Sequence, residues 1–215
     1  MIGTIVVMWD WDGTQVDTMP VHADLAADCV EKHIGISREL ARKLYLETTG
    51  IPFDEQIVKM LPIAEPSARR DCADEYRMRK VIEVYGNPVS FPETESTVKV
   101  IAENFGDMIQ VISSSTEELL IEKWALRENL AHYFFRIYGY EHGNKNAHIA
   151  IVRKMFPEAK IVFISDSAGD MKVKSDYHIG VQAGEERENF FTQGADVVLD
   201  GPITAQSIVW ALCEL

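Results

Sequence analysis

Two aspartates, one residue apart, follow an apolar stretch near the amino terminus. The stretch from Ile5 to Trp9 is typical of a buried β-strand, and Asp10, Asp12, Gly13 and Thr14 come after it. Ligands of parallel α/β sheets bind beyond the carboxyl ends of the strands, so both carboxylates are delivered to the end where chemistry takes place. Two nearby carboxylates repel each other, which favours a divalent cation, a shared proton, or both at this position.

Two other interpretations of this stretch need weighing. A strand that ends in Asp-x-Asp-Gly is also compatible with a plain polar turn. An EF-hand calcium loop needs Gly at its sixth position and Glu at its twelfth, and counting from Asp10 these positions hold Gln15 and Val21. The calcium loop is therefore excluded, whereas the polar turn stays open on this motif alone.

The overall composition limits the kinds of partner. At 215 residues, 47% of them apolar, the chain can form one ordinary domain with a sizeable insertion. It has 21 Lys and Arg against 34 Asp and Glu, a formal net charge of -13. This charge repels nucleic acid and anionic membrane, so we expect no nucleic-acid partner and no membrane partner. We expect a monomer or a homodimer.

The cysteines and the amino terminus indicate the compartment. Cys29, Cys72 and Cys213 are dispersed without a CxxC spacing, which is typical of reduced, buried thiols rather than a disulfide framework. The chain enters its first strand without a signal-peptide pattern, and no apolar stretch is long enough to span a membrane. We therefore expect a cytoplasmic protein.

The arrangement of elements predicts the fold class. Residues 20–86 read as four helices without a strand, and residues 87–92 carry two prolines typical of a linker. Helices over 93–104, 116–128 and 146–155 then alternate with strands over 109–113, 134–138, 160–165, 178–182 and 196–199. Such alternation predicts an α/β fold with a Rossmann-like parallel sheet flanked by helices. The helical block is an all-helical insertion after the first strand.

Three later segments place further polar residues beside predicted strand and helix ends. The strand over 109–113 ends in Ser113 and Ser114, whose hydroxyls and backbone N–H groups suit a phosphate oxygen, although a helix cap is the simpler interpretation. Lys145 lies just before a predicted helix and on its own reads as a solvated lysine. Asp166 follows another strand with Asp170 four residues on, where one helical turn would bring both carboxylates to one side.

Taken in order, these segments resemble the four motifs of the haloacid dehalogenase-like superfamily. The motifs stand here as Asp10-Trp11-Asp12-Gly13-Thr14, Ser113, Lys145, and Asp166 with Asp170. The resemblance spans nearly the whole chain and implies a catalytic core over 1–16 and 91–215, with a helical cap over 17–90. Departures are Trp11 between the aspartates, Gln15 after Thr14, Asn146 after Lys145, and Ser165 where Gly is usual.

The resemblance also implies roles for individual residues. Asp10 is the expected nucleophile that forms an aspartyl phosphate, and Asp12 the expected general acid and base. The Asp10 carboxylate, the Asp12 carbonyl oxygen and Asp166 are expected to hold Mg²⁺, with Asp170 in support. Ser113, Ser114 and Lys145 are expected to bind phosphoryl oxygens.

The substrate side of the resemblance is less specific. Thr18 and His22 continue the match toward phosphoglycolate phosphatase-like and β-phosphoglucomutase-like members, and Gly50 and Phe53 lie in the expected cap loop. We expect a Mg²⁺-dependent hydrolase acting on a small phosphorylated metabolite. A β-phosphoglucomutase-like mutase is the alternative, disfavoured because Phe53 stands where a sugar-phosphate-binding arginine is expected. A regulator that binds the phosphorylated metabolite without turnover is a third possibility, disfavoured because every catalytic position is filled.

Overall fold

The structure is a computed structural model that describes residues 4–49, 51–106, 108–182, 187–201 and 203–213. The chain divides into two compact units. Met1–Asp17 together with Ser90–Leu215 form one, called the core unit, and Thr18–Val89 form the other, called the helical unit. The assignment of a catalytic core over 1–16 and 91–215 and of a cap over 17–90 remains a prediction.

Six strands of the described residues form one sheet in the core unit. In chain order they are β1 (Ile5–Trp9), β2 (Met108–Ser113), β3 (Arg136–Tyr138), β4 (Lys160–Ser165), β5 (Tyr177–Val181) and β6 (Val197–Leu199). Their spatial order is β3-β2-β1-β4-β5-β6, and every neighbouring pair is parallel. The predicted α/β fold with a parallel sheet is therefore confirmed.

Both units contain helices. In chain order they are α1 (Met19–Ile34), α2 (Arg38–Glu47), α3 (Phe53–Met60), α4 (Pro66–Glu83), α5 (Thr94–Asn104), α6 (Glu118–Arg127), α7 (Lys145–Met155), α8 (Arg187–Gln193) and α9 (Ala205–Cys213). The first four make up the helical unit, as the absence of a strand pattern there predicts. Gly35 ends α1 in a left-handed conformation at φ 78°, which glycine adopts without a steric penalty.

Three predicted boundaries move for identifiable reasons. The strand predicted over 134–138 shortens to β3, because the chain first completes a 3-10 turn over Ala131–Tyr133 and enters the ladder with β2 only at Arg136. The helix predicted from residue 116 starts at Glu118, since Thr116 hydrogen-bonds in the preceding loop. Lys145 is the first residue of α7 rather than the residue before it, with Asn144 capping the helix through a bond from the Ala147 N–H.

The register of the central strands places the polar motifs together. Trp9 at the end of β1 pairs with Ile112 of β2 on one side and with Ile164 of β4 on the other. The next residues, Asp10, Ser113 and Ser165, therefore stand side by side at the carboxyl edge of the sheet. Below this edge the strands are apolar and buried, and one face of β1, β2 and β4 packs with α7 in a single core cluster.

The cysteines differ in part from the sequence expectation. All three are free thiols, and Cys29 and Cys72 are buried. Cys213 is exposed at the end of α9, so the expectation that all three are buried is wrong for this residue. Within the part of the chain that the structure describes, no helix is long and apolar enough to cross a membrane.

Candidate active site

Asp10 lies directly beyond β1 and is almost fully buried. Its backbone N–H donates to the Ile164 carbonyl at 2.8 Å, which extends the β1–β4 pairing by one residue. Its Oδ1 accepts the Trp11 N–H at 2.8 Å, and Lys145 Nζ lies 3.0 Å from its Oδ2. The carboxylate is therefore held by the backbone on one side and by an ammonium on the other.

Lys145 joins Asp10 to a second buried carboxylate. Its Nζ lies 2.5 Å from Asp170 Oδ2, and its side chain is only 13% exposed. Ser165 Oγ lies 2.7 Å from the same Asp170 oxygen and 3.2 Å from Asp10 Oδ2. The hydroxyl has one proton, so it donates to one carboxylate at a time, and the shorter distance favours Asp170.

Asp166 packs against the glycine of the first motif. The Asp166 backbone N–H donates to Thr14 Oγ1 at 3.0 Å, and Thr14 Oγ1 in turn donates to Asp166 Oδ1 at 3.2 Å. Gly13 has a φ of 71°, and a Cβ added there would lie 2.0 Å from Asp166 Oδ2. This position therefore excludes any side chain both by backbone conformation and by contact with the carboxylate.

Asp12 is held by the loop that follows β2. Thr116 Oγ1 donates to Asp12 Oδ2 at 2.7 Å. The turn that contains Asp12 is closed by the Gly13 N–H, which donates to the Val16 carbonyl at 2.9 Å. Gln182 Nε2 donates to the Gly13 carbonyl at 2.9 Å from the end of β5, and Gln182 adopts a left-handed conformation at φ 55°. The loop of the first motif is thus secured from both sides.

The Ser113 hydroxyl is paired with a buried histidine. His148 Nε2 lies 3.1 Å from the Gly139 carbonyl oxygen, which can only accept, so Nε2 carries the ring proton. In the neutral ring Nδ1 is then an acceptor, and it lies 2.8 Å from Ser113 Oγ. The Ser113 hydroxyl proton therefore points to His148. The role of Ser113 in phosphate binding remains a prediction, and its hydroxyl already has this other partner.

The next residue, Ser114, offers its hydroxyl differently. Ser114 Oγ accepts the Thr116 N–H at 3.0 Å, which leaves its own proton to be donated. The Ser114 backbone N–H is used in a bond to the Tyr138 carbonyl at 3.0 Å. Among the described residues the Ser114 hydroxyl proton has no acceptor, and the binding of a phosphoryl oxygen by Ser114 remains a prediction.

Burial sets the electrostatics of the carboxylates. Burial raises the pKa of Asp10 to about 6, with Lys145 opposing the shift and Asp170 adding to it. Burial and the neighbouring Asp10 raise the pKa of Asp166 well above its usual range. The pKa of Lys145 is raised by Asp10 and Asp170 even though burial opposes this, so the lysine stays charged.

The arrangement suits a divalent cation beside the carboxylates. Asp170 contributes to the raised pKa of Asp10, and Asp10 and Asp170 both contribute to the raised pKa of Asp166, so the carboxylates lie close together. Within the described part of the chain, Lys145 is the only basic side chain that forms an ion pair with Asp10 or Asp170. No group of three or more His, Cys, Asp or Glu side chains in the described residues forms a metal site by itself. Mg²⁺ commonly takes only one or two carboxylates and completes its shell with water and substrate phosphate. Asp10 and Asp166, together with the Asp12 carbonyl oxygen, fit that requirement.

The remaining predicted residues belong to the helical unit. His22 is buried, with Nδ1 2.6 Å from the Tyr76 hydroxyl and Nε2 2.9 Å from the Tyr85 hydroxyl. Phe53 is 8% exposed and stacks on Tyr76 with ring centroids 4.0 Å apart. Thr18 is buried, and its carbonyl accepts the His22 N–H at 2.9 Å. Gly50 lies outside the described residues.

The structure adds site residues that sequence reasoning missed. The motif pattern does not indicate Thr116, His148 or Gln182, and it marks Ser165 only as a departure from the resemblance. One signal was available, because His148 follows Lys145 at a spacing that places both near the same side of a helix. The other three lie in loops or at strand ends, where local spacing carries no information on distant partners.

Comparison with known proteins identifies the fold. No protein-family model matches the sequence, and no curated protein does. A protein described as a predicted phosphatase from Clostridium acetobutylicum is similar in structure with a TM-score of 0.80 at 18% identity, over 99% of this chain and 100% of that chain. A haloacid dehalogenase-like family hydrolase from Streptococcus pneumoniae has a TM-score of 0.74 at 15% identity, over 97% and 98% of the two chains.

A third solved structure points the same way. It is described as a predicted phosphoglycolate phosphatase from Haemophilus somnus, and it has a TM-score of 0.77 at 14% identity, over 98% of this chain and 99% of that chain. Likeness at such identities establishes the fold. The chain has the haloacid dehalogenase-like fold, as the resemblance of the motifs implied.

Proposed function

We propose that this protein is a Mg²⁺-dependent phosphatase that hydrolyses the phosphomonoester of a small metabolite through an aspartyl phosphate. The observation that carries the proposal is the buried Asp10 at the carboxyl end of β1, held 3.0 Å from Lys145. A buried carboxylate beside a fixed ammonium combines a nucleophile with a group that binds the phosphoryl oxygens it attacks. The fold shared with proteins described as phosphatases supports this reading.

The reaction takes two steps that use the first motif. Asp10 attacks the phosphorus atom, the bond between phosphorus and the ester oxygen breaks, and Asp12 donates a proton to the departing alcohol. Water then attacks the phosphorus of the aspartyl phosphate, and Asp12 takes up the proton that the water loses. The bond to Asp10 breaks, inorganic phosphate leaves, and both aspartates return to their starting states.

The cation and the phosphate ligands have separate tasks. Mg²⁺, held by the Asp10 carboxylate, the Asp12 carbonyl oxygen and Asp166, would offset the repulsion between the anionic nucleophile and the anionic ester. Lys145 and the Ser114 hydroxyl bind phosphoryl oxygens, and Asp170 with Ser165 keeps the lysine in place. With the Ser113 proton directed to His148, we assign the Ser113 hydroxyl an ordering role for this segment, and its predicted phosphate contact would require that proton to turn from His148 to a phosphoryl oxygen.

The helical unit is proposed to select the ester. It contains Thr18, His22 and Phe53, which lie in or beside its buried aromatic cluster, and it is inserted into the chain directly after the first motif. The proposed substrate is a small phosphorylated metabolite, and we propose no nucleic-acid partner and no membrane partner. The protein itself is proposed to be a cytoplasmic monomer or homodimer. Selection by such an insertion depends on size and polarity of the alcohol part.

The proposal is tested by measuring phosphate release from p-nitrophenyl phosphate and from a panel of phosphorylated metabolites, with Mg²⁺ present. Hydrolysis by the wild type and its loss in Asp10→Asn are the expected results. A mutase would convert a phosphosugar to its isomer with little phosphate release, and a regulator would bind a metabolite without turnover. Either outcome would overturn the phosphatase assignment.

A further inference from the structure

Thr116 contacts the proposed acid and base of the reaction from a distant part of the chain. Its Oγ1 donates to Asp12 Oδ2 at 2.7 Å, a separation of 104 residues along the sequence. Thr116 lies in the loop between β2 and α6, and it is 3% exposed. A short bond from a buried hydroxyl to a carboxylate is among the stronger hydrogen bonds in proteins.

The backbone of Thr116 is itself fixed on both sides. Its N–H donates to Ser114 Oγ at 3.0 Å, and its carbonyl accepts the Tyr140 N–H at 3.1 Å. The side chain is β-branched, so its χ1 angle is restricted once the backbone is set. The hydroxyl therefore approaches Asp12 from a fixed direction.

A carboxylate that exchanges a proton with two different partners needs a constant orientation. Asp12 must come within hydrogen-bond distance of the leaving alcohol in the first step and of water in the second. The Thr116 hydroxyl occupies Oδ2 as a donor, which favours Oδ1 as the oxygen that carries the mobile proton. Without this bond, the Asp12 side chain would populate rotamers in which it cannot transfer a proton to the alcohol or from the water.

We propose that Thr116 is a positioning residue for Asp12, holding its carboxylate so that Oδ1 transfers the proton. The inference rests on the proposed function, since it assumes that Asp12 protonates the alcohol. It adds a residue outside the four motifs, and it predicts an effect that depends on the leaving group. Thr116 acts through Asp12 and is assigned no contact with the ester.

The test compares two esters of similar shape whose leaving groups differ in basicity. Phenol is a poor leaving group that needs protonation, whereas p-nitrophenol leaves readily without it. Thr116→Val, which keeps the shape and removes the hydroxyl, should lower kcat/KM for phenyl phosphate by about 10- to 100-fold. It should lower kcat/KM for p-nitrophenyl phosphate by less than about threefold, since kcat/KM reports the first step.

Three further variants make the test specific. Thr116→Ser keeps the hydroxyl and should restore both efficiencies to within about threefold of the wild type. Thr116→Ala removes the hydroxyl without the second methyl group and should repeat the pattern of Thr116→Val. Thr97→Val is the matched control, because Thr97 is a buried threonine of the core unit whose Oγ1 has no hydrogen-bond partner among the described residues.

The results separate this inference from the proposed function. If the wild type is active but Thr116→Val lowers both efficiencies equally, or neither, Thr116 does not position Asp12. Failure of Thr116→Ser to restore activity would also overturn the inference. If the wild type hydrolyses neither ester nor any metabolite of the panel, the proposed function fails and the inference with it. Asp12→Asn should show the same dependence on the leaving group, with a larger loss.

Discussion

Lys145 Nζ lies 3.0 Å from Asp10 Oδ2, which joins the first residue of α7 to the residue that follows β1. The contact depends on two distant segments meeting at the carboxyl edge of one sheet. Because Asp10 is buried, the ammonium of Lys145 stabilises its ionised form against the cost of desolvation. The pair therefore keeps a nucleophile ionised in a place where burial alone would favour its protonated form.

The first prediction concerns the nucleophile. Asp10→Asn should lower turnover by at least about a thousandfold, because an amide of nearly the same shape cannot form the aspartyl phosphate. The metal-free variant should unfold at the same temperature as the wild type or higher, since the substitution removes one of the three neighbouring carboxylates of Asp10, Asp166 and Asp170. Phosphate release and thermal unfolding measure the two effects.

Asp200→Asn is the control, because Asp200 is an exposed aspartate that pairs with Arg187. Turnover similar to that of the wild type would exclude Asp10 as the nucleophile.

The second prediction concerns the metal. Activity should disappear in chelator and return with Mg²⁺, while Ca²⁺ should replace it poorly because Ca²⁺ prefers more ligands at longer distances. Saturating Mg²⁺ at about 100 times its dissociation constant should also stabilise the metal-free protein by about 2.7 kcal/mol. This stabilisation, measured by thermal or urea unfolding without substrate, should be lost in Asp166→Asn. Full activity without any metal would refute the assignment.

The third prediction concerns the acid stability set by His148. Burial lowers the pKa of His148 to about 4, against about 6.5 in an unfolded chain. Below pH 6.5 the unfolded chain binds a proton here while the folded protein does not. The stability that the neutral ring contributes is therefore complete above pH 6.5, and it is lost as the pH falls toward 4.

The measurement is the free energy of urea unfolding at pH 7 and pH 5. His148 should account for a loss of about 2 kcal/mol between the two, and His148→Gln should lack this part of the loss. His132→Gln, which changes an exposed histidine, should behave like the wild type. An equal loss in the wild type and in His148→Gln would show that the His148 pKa is not lowered by folding.

The fourth prediction concerns Phe53. Its ring stacks on Tyr76 and is nearly buried, so Phe53→Ala should destabilise the protein by about 3 to 5 kcal/mol. Phe53→Leu retains much of the apolar volume and should be used to examine specificity. We expect it to change the ranking of kcat/KM across phosphorylated metabolites, with little effect on p-nitrophenyl phosphate.

A packing control separates specificity from general loosening of the helical unit. Ile57 is buried on the same helix, and Ile57→Val should lower stability by about 1 kcal/mol without changing the ranking. If Phe53→Leu also leaves the ranking unchanged, Phe53 is a core residue of the helical unit and the specificity contacts lie elsewhere.

The sequence alone determined the fold class and the place of the first motif. An apolar run that ends in Asp10 and Asp12, with strand and helix patterns alternating from residue 93 onward, predicts a parallel sheet and its reactive edge. These features are local, because the apolar run of a strand and the residues that start a helix are neighbours in the sequence. The resemblance of the motifs then implied one site for Asp10, Lys145, Asp166 and Asp170, and in the structure Lys145 pairs with Asp10 and Asp170 while Asp10 and Asp170 raise the pKa of Asp166.

Only the tertiary structure decided the partners of each side chain. The sequence contains no signal that the Ser113 proton points to His148, that Ser165 stands between Asp10 and Asp170, or that Thr116 binds Asp12. Such bonds depend on strand register, on the path of loops and on rotamers, and a shift of about 1 Å in any of them removes a hydrogen bond. Motif spacing specifies which groups reach the edge of the sheet, and the packed structure specifies which atom of each group meets the other.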